Sequence, residues 1–116
     1  MLTFLSQPKK NRDEANRMLA KYPDRIPIIV TKSTTSTTTP DIDKHKFLVP
    51  ADLTMGQFLY VIRKRINLTS DKGLFLFING GEVVQTGEIV QLTYQRAFDK
   101  EDGFLHVIYS CESVFG

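Results

Sequence analysis

The sequence predicts an α+β domain in which one amphipathic helix crosses a mixed β-sheet. Three observations point that way. Two β-branched, strand-like runs, residues 25–31 and 46–49, precede a capped helix beginning at about Met55. A continuous apolar run over residues 74–78 has strand length and no polar face, so it belongs inside a sheet covered on both sides. A final apolar run, residues 104–110, follows the turn signal Asp102-Gly103.

Taken in order, the first dozen residues are polar, with Gln7-Pro8-Lys9-Lys10, and suit a short, loosely docked helix or nothing regular. Asn11 with Glu14 three residues on offers a helix start. Ala15, Met18, Leu19 and Tyr22 then share a face until Pro23 ends the helix. Three turns are marginal alone, so this helix must pack on something. The first strand tolerates Pro27 near its start. The Ser/Thr run 33–39, closed by Pro40, cannot bury apolar surface and reads as a flexible, solvated loop. Phe47, Leu48 and Val49 make a short strand that Pro50 closes. Thr54 and Gln57 form a capping box, and Met55, Phe58, Leu59, Ile62 and Ile66 give the helix its core face. Asn79-Gly80 is a tight turn signal, residues 88–95 suit a short helix carrying Ile89, Leu92 and Tyr94, and 104–110 is the last strand.

The order is therefore helix, strand, strand, helix, strand, short helix, strand. The two leading strands form a hairpin, the central helix crosses one face, and the last strand inserts beside the first. This is a β-grasp, or ubiquitin-like, arrangement with an N-terminal helical extension. A ferredoxin-like split βαβ is the rival, but it opens with a strand feeding directly into a helix. The predicted units are a helical segment at 1–24, the core at 25–110 and a flexible tail at 111–116.

Bulk properties narrow the function. A length of 116 residues suits one domain with a real core. A net charge of +2 is too mild to argue for nucleic acid, and no such partner is expected. The single cysteine, Cys111, excludes an internal disulfide framework and suits a reducing, cytoplasmic compartment. The amino terminus lacks a secretory pattern, and no run approaches the roughly 20 apolar residues of a membrane span. Membrane contact is expected to be peripheral or through an added lipid.

No catalytic set is evident, and neither a cofactor nor a metal site is expected. His45 and His106 have no Cys, Asp or Glu partner at metal-ligand spacing. Asp99, Glu101 and Asp102 read as a solvated loop, and Gly80-Gly81 lacks the Lys-Ser/Thr of a phosphate loop. Cys111 as a nucleophile with a distant histidine is a weaker alternative. The central helix is more informative. Val61 and the flank of Phe58 widen its apolar stripe, Arg63, Lys64 and Arg65 follow, and Lys44 and Lys46 bracket the preceding strand. An apolar groove with basic edges fits between strand and helix, as does an ordinary half-buried unit with a solvated basic face.

Residues 25–30, 43–58, 61–66, 74–79 and 102–110, with the terminal Phe115-Gly116, resemble the GABARAP-type autophagy ubiquitin-like modifiers. The likeness runs in long ungapped segments over nearly everything after Arg12. The Ser/Thr loop is longer than usual there, and the N-terminus is short.

The resemblance implies two N-terminal helices on a ubiquitin-like core. It implies conjugation of Gly116 to phosphatidylethanolamine by E1-, E2- and E3-like enzymes, with a cysteine protease for processing and delipidation. The lipidated form would sit on autophagosomal membranes, support their formation and recruit receptors and adaptors carrying an aromatic-x-x-aliphatic motif. Glu14, Met18, Pro27, Lys44, Lys46, Leu48 and Phe104 would line the aromatic pocket. Phe47, Val49, Pro50, Leu53, Phe58, Val61 and Arg65 would line the aliphatic one. Arg25, Lys44 and Lys46 would meet acidic flanks of the motif, with Arg65 beside them. Two buried anchors at roughly 1.5–3 kcal/mol each, less the ordering of the peptide, suit a micromolar Kd, about −8 kcal/mol. The rivals are a modifier of protein lysines and a non-conjugated module binding microtubules or acidic surfaces.

Overall fold

The computed structural model describes residues 8–36 and 38–111. The expected conjugation site, Gly116, lies outside the described residues. The elements are α1 (Pro8–Lys21), β1 (Arg25–Lys32), β2 (Lys46–Pro50), α2 (Met55–Arg65), β3 (Phe75–Ile78), β4 (Glu82–Val83), α3 (Val90–Ala97) and β5 (Leu105–Ser110). They form one five-stranded sheet of order β2-β1-β5-β3-β4. β1 pairs antiparallel with β2 and parallel with β5, so the last strand does insert beside the first. This is the β-grasp arrangement.

Strand alternation divides the sheet into two faces. Ile26, Ile28 and Val30 of β1, Phe47 and Val49 of β2, and Leu105, Val107 and Tyr109 of β5 join the main core with Met55, Phe58 and Ile62 of α2. Ile29 turns to the other face and packs with Ala15 of α1 and Phe104, with Met18 against them. α1 and α2 thus cover opposite faces. α2 starts where the capping box requires: the Thr54 hydroxyl accepts the Gln57 amide at 3.0 Å, and the Gln57 side chain accepts the Thr54 amide at 2.9 Å. β3, flanked by β5 and β4, is buried on both faces, with Leu76, Phe77 and Ile78 at 1–2% exposure.

Several expectations are corrected. α1 begins at Pro8, not after Asn11. Proline suits a first helical turn because its missing N–H would lack an intrahelical partner there, and Asn11 is fully buried within the helix. Residues 8–12 therefore belong to α1, and an additional first helix could fall only on residues outside those described. Two-residue β4 was missed because so short a strand has no period. It follows a turn in which Asn79, Gly80 and Gly81 all have positive φ, at 49°, 77° and 137°. α3 runs two residues later than expected and buries Val90 and Thr93, leaving Leu92 exposed. The last strand starts at Leu105, one residue late.

The Ser/Thr run differs most from its expected form. Ser33, Ser36 and Thr39 are buried. Ser36 and Thr39 share a hydroxyl–hydroxyl hydrogen bond, and the Thr39 hydroxyl accepts the Cys111 amide at 2.9 Å. Ser33 donates its amide to the Tyr109 carbonyl at 3.0 Å, and the Tyr109 hydroxyl donates to the Pro40 carbonyl at 2.8 Å. Lys32 reaches the Thr39 carbonyl and pairs with Asp41 at 2.7 Å, holding that carboxyl below its usual range. Hydroxyls replace apolar side chains here: a polar run can be buried once its groups bond to one another and to backbone.

Candidate functional site

β2 is an edge strand. It pairs with β1 through the register Arg25↔Pro50 to Ile29↔Lys46, and no described strand lies on its other side. Its burial alternates, with Phe47 and Val49 buried and Lys46 and Leu48 half-buried. Pleating sends Lys46 and Leu48 toward α1, and Phe47 and Val49 toward α2.

On the α1 side, the Lys46 ammonium lies 2.6 Å from the Glu14 carboxylate and 5.9 Å from the centre of the Phe104 ring. Met18 packs on the same cluster, and Pro27 is buried opposite Leu48. Glu14, Met18, Pro27, Lys46, Leu48 and Phe104 are thus brought together. Phe104 is completely buried, so it forms a floor between α1 and β5, not an accessible wall. Lys44 stands apart from this group. Its ammonium lies 5.1 Å over the ring of Phe47, on the α2 side.

On the α2 side, Phe47 meets Phe58 edge to face with ring centres 5.6 Å apart. Phe47, Val49 and Phe58 are at most 7% exposed and again form a floor. Leu53 packs against that core half-buried, while Pro50, Val61 and Arg65 are exposed. Arg65 bonds Asp43 at 3.0 Å, and its guanidinium lies 5.9 Å from the Phe47 ring.

A cleft of about 480 Å³ runs past Asp43, Tyr60, Val61, Lys64 and Arg65. Asp43, Tyr60 and Lys64 were missed as lining residues. Tyr60 and Lys64 are four apart and share a helical stripe, with Lys64 lying 5.3 Å over the Tyr60 ring; that spacing was the available signal.

The three expected acidic-flank residues do not make one patch. Arg25 pairs with Pro50, four residues along β2 from Lys46, or roughly 13 Å at strand rise. Basic side chains therefore stand at both ends of the edge.

Two further sequence candidates are placed elsewhere. Nδ1 of His45 lies 2.9 Å from the Val30 carbonyl, and the His45 carbonyl accepts the Val30 amide, extending the β1–β2 hairpin. The expectation that neither histidine has an acidic partner fails for His106, whose Nε2 lies 2.7 Å from Asp102 and 3.8 Å from Asp99. No helix among the described residues is long and apolar enough to cross a membrane.

The comparisons with known proteins agree with one another. A family model described as "Autophagy protein Atg8 ubiquitin like" matches residues 10–116. The chain is similar to Autophagy-related protein 8e of Arabidopsis thaliana, 51% identical over 108 residues covering 93% of this chain and 86% of that one. It is also similar to Autophagy-related protein 8 of Mycosarcoma maydis, 50% identical over 109 residues covering 93% and 89%. The crystal structure of Trypanosoma brucei ATG8 matches all of both chains with a TM-score of 0.87 at 34% identity. A matched edge-strand fold, a family model spanning nearly the whole chain and relatives at half identity lead to one conclusion: this chain belongs to the Atg8 family of autophagy ubiquitin-like proteins.

Proposed function

We propose that the chain is a GABARAP-type modifier, joined through Gly116 to phosphatidylethanolamine, whose β2 edge recruits receptors and adaptors carrying an aromatic-x-x-aliphatic motif. One observation carries the recruiting half. No described strand covers the outer side of β2, and an apolar cluster lies beneath α1 on one face of the sheet and beneath α2 on the other. A peptide added as a further strand points residues i and i+3 to opposite faces, so each anchor turns toward one cluster. Main-chain hydrogen bonds set the register. Lys44 and Lys46 near one end and Arg25 at the other meet acidic flanks, acting more on association rate than on affinity.

The conjugating half rests on family membership and the matched terminal Phe115-Gly116. The carboxylate is activated by E1- and E2-like enzymes, transferred with an E3-like complex, and released by a cysteine protease. The reading gives this chain no catalytic step of its own. Two lipid acyl chains give the stable anchoring that one does not, which places the conjugate on autophagosomal membranes and the free form in the cytoplasm.

The test is reconstituted conjugation with cognate E1- and E2-like enzymes, ATP and phosphatidylethanolamine liposomes, with and without Gly116, read by mass spectrometry. A Gly116-dependent lipid adduct is expected. Competent enzymes that yield no adduct would overturn lipid attachment and turn attention to a protein acceptor.

A further inference from the structure

We infer that Asp99, Asp102 and His106 form a binding site for a divalent transition-metal ion, of the zinc class, where the chain enters β5, the middle strand of the sheet. β5 supplies His106, and the turn entering that strand supplies both aspartates. One ligand atom from each residue lies within 4.8 Å of the other two. Nε2 of His106 is 2.7 Å from Oδ2 of Asp102 and 3.8 Å from Oδ2 of Asp99. Ligands held at about 2.0–2.2 Å around a tetrahedral zinc stand roughly 3.3 Å apart, between those two separations. Small side-chain rotations bring all three to one ion.

The carboxylates are also aimed. Oδ1 of Asp102 accepts the Phe104 amide at 2.9 Å, and Oδ1 of Asp99 accepts the Glu101 amide at 2.7 Å. Each therefore keeps its second oxygen for the imidazole side, and backbone partners of this kind orient metal ligands.

Charge supplies a separate argument. The Asp102 side chain is only 6% exposed, and no lysine or arginine among the described residues forms an ion pair with it or with Asp99. The Arg12 guanidinium donates its Nε–H instead to the Glu101 carbonyl at 2.7 Å. Two carboxylates facing a single imidazole leave negative charge that is not balanced, and buried carboxylates are stabilised by cations or coordinate metals. A cleft of about 320 Å³ beside Asn79, Gly80, Phe98, Asp99 and His106 gives an ion and its remaining water access. One imidazole and two carboxylates, with an open position, suit borderline divalent ions.

The probe is zinc chloride, titrated calorimetrically into the full chain carrying Cys111→Ser, which removes thiol chelation. One equivalent binds with micromolar affinity, and His106→Gln weakens it at least tenfold while His45→Gln leaves it unchanged. Asp99→Asn, at an exposed and readily tolerated position, also weakens binding at least tenfold. Cobalt(II) gives visible d–d bands with the parent protein and loses them with His106→Gln. Absence of saturable zinc binding up to millimolar concentration would overturn the inference, as would undiminished binding by folded His106→Gln.

Discussion

Leu48 and Val49 are consecutive residues of β2 that serve opposite faces of the sheet: Leu48 lies half-buried toward α1, and Val49 is 7% exposed in the core beneath α2. A strand added beside them would run between the apolar cluster of one face and that of the other. The spacing of anchors in a bound peptide should therefore matter more than their order of hydrophobicity. An aromatic and an aliphatic residue separated by two others project oppositely, whereas one or three intervening residues put both on one face. Peptides with one intervening residue removed or added should bind at least tenfold more weakly, matching the loss of one anchor's burial at roughly 1.5–3 kcal/mol. Fluorescence polarisation over the three spacings checks this, and equal affinities would exclude strand addition at β2.

Probing the pockets requires separating floor from wall. Leu48→Arg adds a charge to a half-buried side chain and should weaken motif peptides at least tenfold with little change in fold stability. Phe104→Ala is a different experiment, because Phe104 is fully buried against Ala15 and Ile29. It should cost about 3–5 kcal/mol of folding stability, the range for truncating a buried aromatic. Urea melts beside peptide titrations distinguish the two. A Phe104→Ala protein as stable as the parent would show that the ring is not a floor.

The placement of β5 beside β1 was legible because β1 and β5 are β-branched, largely apolar runs of strand length, β3 is apolar throughout, and Thr54–Gln57 marks the start of α2. The two anchor pockets were expected only through resemblance, since spacing alone cannot say which helix covers which face of β2. The Ser/Thr loop was misread because composition reports what a segment cannot bury, not what its hydroxyls can bond. Ser36, Thr39 and the Cys111 amide meet across 75 residues, and no local pattern encodes such a contact. The Asp102–His106 pair was missed for a related reason: four residues suggest a helical face, yet here a turn and a strand bring the groups together.

Gly103 joins α1 to the body through its missing side chain. Its φ is +80°, and a Cβ there would lie 3.1 Å from the Ala15 Cβ. Its carbonyl also accepts the Tyr94 hydroxyl at 2.7 Å. Gly103→Ala should destabilise by about 1–2 kcal/mol from the left-handed backbone alone, with a further cost from the close approach. Adding Ala15→Gly relieves the clash and leaves the backbone cost, so a double-mutant cycle should show favourable coupling. Strict additivity in denaturant melts would mean that α1 has shifted away.

Tyr109 ties the loop to the sheet and gives the fold an alkaline limit. Burial, reinforced by the Asp41 carboxylate and Cys111, pushes its phenol up to about 12. The unfolded chain releases this proton near pH 10, whereas the folded chain holds it two units higher. Below pH 10 both states are protonated, and the contribution to stability is fully present. Between pH 10 and 12 the unfolded state alone ionises, so stability falls, by up to about 2–3 kcal/mol across the window. Tyr109→Phe cannot titrate. It loses the hydrogen bond to the Pro40 carbonyl, about 1 kcal/mol at every pH, but escapes the alkaline fall. The difference between parent and Tyr109→Phe in urea melts should therefore shrink and reverse between pH 9 and pH 12. Lysine titration affects both proteins alike and cancels in that difference. Parallel stability curves for the two proteins would show that Tyr109 ionises no differently in the folded and unfolded chains.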